Sequence, residues 1–489
     1  MSWTRRDILA AATAAGAATT LGGCEKIISK ATEHFGQTVP DSVTAPASAE
    51  VDPAHHLLNR AGYGPWPGDV EQVRAIGEHE WIEQQLNPES IDDRLCELRT
   101  GQFNEIKESP GDCYGYNKPL LRRQMARQTL IRAVYSKRQL FEVMAGFWTD
   151  HLNINISKGD CVYVKPEDDR QVIRKHALGK FRDLIRASAT SAAMLVYLDG
   201  AHSSPPKANE NYGRELMELH TLGVGGGYTQ HDVYEAARAL TGWRVGKNFL
   251  RRGAASFDPA HHDDGEKHLL GKIIPAKLGE QDVDRVVDIV CSHPSTARHI
   301  ATKLVKRFVA EQPPPPLVDR VADVFRTTDG DIKSMLRAIL TAEEFKTATG
   351  SKFKPPFRYI VSALRAVGAD THAHPPLIDY LERMGQGVFE YPTPDGYPDK
   401  ASPWFGTLLW RWNFAFALAS GKVPTVQAPV QKLLHALDAN GEGSETTLFR
   451  YFVGRLPQDP EQEAFRTARL ASPVEEVGLM LASPQFQWC

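Results

Sequence analysis

"PLLRRQMARQTLIRAVYSKRQLFEVMAGFWTD", residues 119–150, sets the fold class. Apolar side chains recur there with the period of an amphipathic helix, not the alternation of a strand. Working outward, the rhythm persists. "DRQVIRKHALGKFRDLIRASATSAAMLVYLDG" (169–200) carries two helical patterns with Gly179 between them. "TQHDVYEAARALTGW" (229–243) puts Val233, Ala236, Ala237 and Leu240 at helical spacing, with Thr229 at an N-cap position three residues before Asp232, a near capping box. Helices resume from about Asp282, and "STARHIATKLVKRFVA" (295–310) is followed by Pro313 to Pro316. These stop the helix because each proline removes a backbone donor and fixes φ. "LVDRVADVFRTTDGDIKSMLRAILTAEEF" (317–345) reads as helix, Asp-Gly turn, helix. Two stretches break the pattern. "FDPAHHDDGEKHLLGKII" (257–274) predicts a loop with a short hairpin in its Leu-Leu-Gly-Lys-Ile-Ile part, and "MGQGVFEYPTPDGYPDKASPW" (384–404) a long Gly/Pro loop of the kind that carries function. The predicted class is mainly α: a large multi-helix globular domain with long Gly/Pro-rich loops and at most minor β-hairpins.

The 489 residues, 42% hydrophobic and 24% charged, are enough for a substantial core. A net charge of −3 without a long basic stripe points away from nucleic acid. The N-terminal "TRRDILAAATAAGAATTLGGC" (4–24) runs from paired arginines through a small-residue apolar stretch to a cysteine. That stretch is shorter than the roughly 20 residues a membrane span needs. It reads as an export signal, 1–24, resembling a twin-arginine signal with a lipobox that makes Cys24 the lipidated residue and the membrane attachment. Residues 25–50, rich in Pro, Ser, Thr and Ala towards their end, are expected to be a flexible tether. The helical domain spans 51–489, with a sub-boundary near 312–317. Cys96, Cys113, Cys161, Cys291 and Cys489 lack CxxC spacing, which argues against a paired-cysteine zinc site, and their pairing is open.

The candidate chemistry concentrates in "NENYGRELMELHTLGVGGGYTQ" (209–230). On a helix, Asn211, Arg214, Glu215 and Glu218 fall at i, i+3, i+4 and i+7 and form one polar stripe, with Arg214 and Glu218 spaced for an ion pair. The plain reading is a solvated face. The functional one pairs the carboxylates of Glu215 and Glu218 for acid–base work, with Asn211, Arg214 and His220 binding substrate. Glu215, Glu218 and His220, joined by His262, also offer ligands for a divalent metal. In "HHDDGEK" (261–267), His262 and Asp263 are candidate acid or base groups. In "FWTDHLNI" (147–154), Trp148 and His151 offer a sugar-stacking platform, or a buried Trp beside a hydrogen-bonded His.

Taken in order, "MLVYLDG", "NENYGRELMELHTLGVGGGYTQHDV", "AARALTGW", "FDPAHHDDGEKHLLG" and "KPPFRYIVSALRAVG" resemble the bacterial family called domain of unknown function 1800, from about His55 to Cys489. The resemblance falls on Asn211, Arg214, Glu215, Glu218, Arg238, Trp243, His262 and Lys267, which adds Arg238, Trp243 and Lys267 to the substrate-binding candidates. The family pattern has Gly-Trp where this chain has Gly396-Tyr397. The resemblance implies a helical fold, an envelope setting and neighbouring exported proteins of the family numbered 1501 as partners. It supplies no reaction.

Three functions stay open: a hydrolase of envelope glycan or another polymer, a non-catalytic module that binds another exported protein, and a metal or redox protein.

Overall fold

The computed structural model describes residues 21–439, 444–468, 470 and 472–489. Helices dominate the described residues, and the strands form three antiparallel two-stranded ladders. This is the mainly α architecture expected.

The run at 119–150 is two helices, α1 (Lys118–Tyr135) and α2 (Gln139–His151). Asn117 caps α1 through the Leu120 amide, with Pro119 in the first turn where a missing N–H costs nothing. The break at Ser136 is imposed from a distance. The Asp93 carboxylate accepts from Ser136 Oγ and the Lys137 amide, both at 2.7 Å, so the chain there bonds to a side chain instead of continuing the helix. Local periodicity holds no trace of that partner.

The helical elements around the motif follow in order. α3 (Glu210–Glu215) runs straight into a wider π turn, Leu216–His220. α4 (Gln230–Ala239) opens on the complete capping box of Thr229 and Asp232. A small ladder pairs β1 (Trp243–Val245) with β2 (Ala255–Phe257), and the expected hairpin pairs β3 (Lys267–Leu269) with β4 (Lys272–Ile274). Then come α5 (Asp282–Cys291), α6 (Pro294–Phe308), α7 (Pro315–Thr327) and α8 (Ile332–Leu340). Asp329 and Gly330, both at positive φ, form the turn between the last two. α9 (Pro356–Ala366) packs on α1, and α10 (Leu408–Ala419) packs on α11 (Pro473–Ala482). One apolar core joins all of these. It runs through residues 312–317 without interruption, since Phe308, Leu317 and Val321 all belong to it.

Residues 25–50 are not free. Glu25, on the helix Leu21–His34, pairs with Arg127 at 2.7 Å and His374 at 2.8 Å. Thr32 is buried under Arg99, Val39 is fully buried, and the Ala45 and Pro46 carbonyls accept from Arg450. Composition suggested a tether because it counts large apolar groups. It does not see polar side chains elsewhere that hold the strap down. Of the signal expected over 1–24, residues 1–20 and the Cys24 side chain lie outside the described residues. Among those described, no helix is long and apolar enough to cross a membrane, and the cysteines outside the signal are unpaired.

Candidate active site

The motif segment does not keep its expected stripe. Because the helix widens at Leu216, Glu218 leaves the register of Arg214, and Arg214 bonds Gln230 at 2.8 Å and Glu210 at 3.4 Å instead. Asn211 is exposed and donates to the Leu198 carbonyl. Glu215 and Glu218 are half-buried and close enough for the charge of Glu218 to act on Glu215. Burial raises the Glu215 pKa, the charges of Glu218 and Asp395 add to it, and Arg214 opposes. The Tyr228 phenol is also pushed up by burial and by a hydrogen bond to Glu218.

His262 shares no partner with these carboxylates. It belongs to a buried clasp. Its ring nitrogens face two acceptors, the Thr241 carbonyl at 3.0 Å and Asp282 Oδ2 at 3.1 Å. An imidazolium satisfies both as a double donor. Burial works to lower the His262 pKa, but the Asp282 carboxylate outweighs it and the net shift is upward. Lys267 is fully buried and gives its three ammonium hydrogens to Asp282 (2.6 Å), the Asp263 carbonyl and the Gly265 carbonyl (2.9 Å). Asp263 takes a two-pronged bond from Arg238, at 2.8 and 3.1 Å, and Arg238 also holds Glu235. Lys267, Arg238, Asp263 and His262 were expected to act on substrate. Their donors and acceptors are instead committed to locking the 258–267 loop onto α4 and α5. Trp243 is likewise packed, against Phe257 and under Arg186. The four proposed metal ligands, Glu215, Glu218, His220 and His262, are not gathered. Among the described residues no group of three His, Cys, Asp or Glu side chains is arranged around a metal position.

Trp148 has no exposed face. It donates to the Ala177 carbonyl at 3.0 Å and packs on Phe147, Phe181 and His151. It therefore offers no stacking platform, but it fixes His151. The His151 Nε2–H donates to the backbone carbonyl of His220 at 2.9 Å, which leaves Nδ1 to accept from Lys303 Nζ at 2.8 Å. Burial, with Lys303 beside it, holds His151 well below the ordinary histidine range and so neutral. The motif thus contributes a carbonyl, aimed by the π turn, and not its imidazole. The buried His220 ring is held down to about 3 by burial and by Lys303, and its Nε2 has no partner. The glycine patch serves the same cluster. A Cβ at Gly223, at φ +85°, would sit 2.6 Å from His299 Nδ1, and the His299 ring lies 6.3 Å from that of His151.

Lys303 opens onto a cleft of about 330 Å³, between α2, α6, the start of α9 and the 384–404 loop. The loop is pinned to the end of α2, since Asn153 donates to the Tyr391 and Thr393 carbonyls at 3.1 and 2.7 Å and the Ile156 amide to Phe389. Tyr197 adds a bond to the Pro392 carbonyl at 3.0 Å. Gly396, at φ +74°, lies so close that a Cβ would fall 2.1 Å from the Asp150 carbonyl oxygen. Tyr397, where the family pattern has Trp, bonds the Gly387 carbonyl at 2.7 Å. Burial raises the Asp150 carboxyl to about 7, against Arg307, the Tyr397 amide and Lys303. Burial lowers Lys303 to about 8, against Asp150, Asp399 and Asp395. Both remain half-buried and within reach of water. An acid and a base shifted towards each other in one cleft are the means of proton transfer near neutral pH. Gly396→Ala should therefore cost about 1–3 kcal/mol in urea unfolding, since the strain falls on backbone; a change under about 0.5 kcal/mol, the usual range for neutral surface substitutions, would mean the loop is not seated this way.

Of the expected site residues, only His151 lines this cleft. Asp150 stood out in "FWTDHLNI" only as a polar residue near a helix end, and Lys303, Asp395 and Asp399 carried no local signal, because helix and loop are far apart in sequence. The usable signals were the Gly/Pro loop and the adjacency of Asp150 to His151.

The fold and cleft define a mainly α protein with an acid–base pocket built between helices and one long loop. Its family follows from comparison with known ones. The chain belongs to the family described as "Protein of unknown function (DUF1800)", whose model matches residues 56–488. Neither curated proteins nor solved structures gave a match.

Proposed function

We propose that this protein is an exported hydrolase of the cell envelope, held at the membrane by acyl chains on Cys24 and acting on envelope glycan or another polymer. One observation carries the catalytic part: Asp150 and Lys303 share a cleft, and burial shifts each towards its neutral form although each charge opposes the other's shift. Asp150 would take a proton from the attacking water. Lys303, oriented by the neutral His151, would stabilise negative charge developing on the attacked group. Glu215 feels the charge of Asp395 on the loop side, and with Glu218 it would contact the longer substrate. Their role is secondary in this scheme. The decisive experiment is release of soluble fragments from isolated envelope polymers by wild type and Asp150→Asn. Equal release by the two would remove Asp150 from catalysis.

A second reading, docking of an exported protein such as one of the 1501 family, has its own observation. Leu408, Leu409 and Trp412 at the start of α10, with Phe405 in the 3-10 turn just before it, lie at helical spacing, each between 44% and 69% exposed. Isolated exposed apolar residues are ordinary, but a stripe of them marks an interaction surface. Leu409→Glu with Trp412→Glu should abolish co-purification of such a partner from envelope extracts. Retention of the partner by the double variant would rule out this surface.

A further inference from the structure

The proton-transfer pair occupies only part of the cleft. Along α6, Lys303 is followed at i+3 and i+4 by Lys306 and Arg307, and all three line the cavity. Among the described residues, neither Lys306 nor Arg307 has a hydrogen-bond or ion-pair partner. Arg307 stands among further guanidinium groups. Arg358, which also lines the cleft, donates to the Asn59, Arg60 and Gly62 carbonyls, while its buried Nε has no partner. Arg60, behind it, bonds the Phe308, Val309 and Cys489 carbonyls. Burial depresses the Arg358 pKa to about 10, the neighbouring charges of Arg307 and Arg60 act in the same direction, and Cys489 opposes them.

Backbone carbonyls solvate these cations but do not neutralise them, and Cys489 gives counter-charge to Arg60 and Arg358. The carboxylates that act on Arg307 are Asp150 and Asp399. Asp399 is engaged by Lys352 at 2.6 Å, and Asp150 holds its proton to about 7. The cluster is therefore a half-buried excess of positive charge, which is costly unless an anion completes it. Planar guanidinium groups match carboxylate and phosphate oxygens, and in a cleft they do so at reduced dielectric. The lining also has an apolar part, from Phe147, Phe357, Val388 and Phe389. A volume of about 330 Å³ is at the small end of ligand sites, roughly 300–1,000 Å³, so one substituted ring fits and a long chain does not.

We propose that Arg307, Lys306 and Arg358 form an oxyanion-binding subsite, so that the cleft takes an acidic sugar unit, carboxylated or phosphorylated, with its anionic group on Arg307 and its hydroxyl face towards Asp150 and Lys303. The proposal rests on reading the cleft as the active site and names what enters it. The test is calorimetric binding of D-glucuronate, glucose 6-phosphate and glucose to the full chain carrying Asp150→Asn, which removes turnover. Saturable binding of at least one acidic sugar, about tenfold or more tighter than glucose and weakened by salt, is expected. Whichever acid binds identifies the carboxylate or phosphate source. Arg307→Ala, or Arg307→Gln if the alanine variant does not fold, should weaken that binding about tenfold or more, and Lys306→Ala should weaken it less. Equal binding of glucose and the acids, saturable binding of none, or no effect at Arg307 overturns the subsite. The two readings fail separately. Acid binding with turnover indifferent to Asp150→Asn removes the catalytic scheme alone, and Asp150-dependent turnover without acid binding removes the subsite alone.

Discussion

Asp282→Ala is expected to destabilise the protein by about 3–5 kcal/mol, the usual cost of removing one member of a buried ion pair. Asp282, Lys267 and His262 have side chains no more than 1% exposed. Among the described residues the carboxylate is the only anion bonded to the Lys267 ammonium, and it is the acceptor for His262 Nε2. Without it, a buried ammonium keeps only two backbone carbonyls, and His262 loses the partner that holds its pKa up. The helix α5 also loses an acidic residue from its first turn, a smaller term of about 0.3–1 kcal/mol. Pairing Asp282→Leu with Lys267→Met should recover much of the loss, because an apolar pair needs no counter-charge. Urea unfolding of the variants measures both. The pH sense is fixed by the upward His262 shift. Its stabilisation is fully present below the histidine's unfolded value and is lost as pH rises through the higher folded value. In Asp282→Ala that dependence should reverse, because the His262 titration, followed by NMR, should move below the ordinary histidine range. A loss under about 1 kcal/mol, within the reach of an exposed pair, would mean that the clasp is open to water.

The clasp shows what a sequence does and does not reveal. "HHDDGEK" advertised titratable groups, and the hairpin after it was legible from its Gly and flanking apolar residues. Nothing local said that Lys267 would meet Asp282, fifteen positions on, and be fully occupied there. Helix periods, the Thr229 capping box and the Asp-Gly turn at 329–330 were legible because each depends on neighbours within four residues. The Ser136 break, the strap at 25–50 and the cleft were not, because each depends on a partner far along the chain: Asp93, Arg127 and His374, and the meeting of α2, α6 and the 384–404 loop. The motif at 209–223 drew attention for its carboxylates and imidazole. Its clearest contribution to the cleft is backbone: a π turn that aims the His220 carbonyl at His151, and a glycine that makes room for His299.

That same chain of support leads to the pH dependence expected of turnover. With Asp150 as base, activity rises as its carboxyl ionises, around pH 7, and with Lys303 as cation it falls as the ammonium deprotonates, around pH 8. The profile of kcat/KM should be a narrow bell with its maximum between these values. Because each group acts electrostatically on the other, the two limbs report the pair and not the separate residues. Asp150→Asn should abolish the acid limb and reduce kcat/KM by about 10²–10⁴-fold. Lys303→Met should abolish the alkaline limb and cost about 10²–10³-fold. His151→Gln is the finer probe. It cannot reproduce the route from the His220 carbonyl through the ring to Lys303, so it should shift the alkaline limb while leaving the acid limb in place. A merely structural histidine would lower activity equally at every pH. A broad profile in Asp150→Asn that keeps both limbs would place the proton transfer on other groups, Glu215 and Glu218 being the next to test.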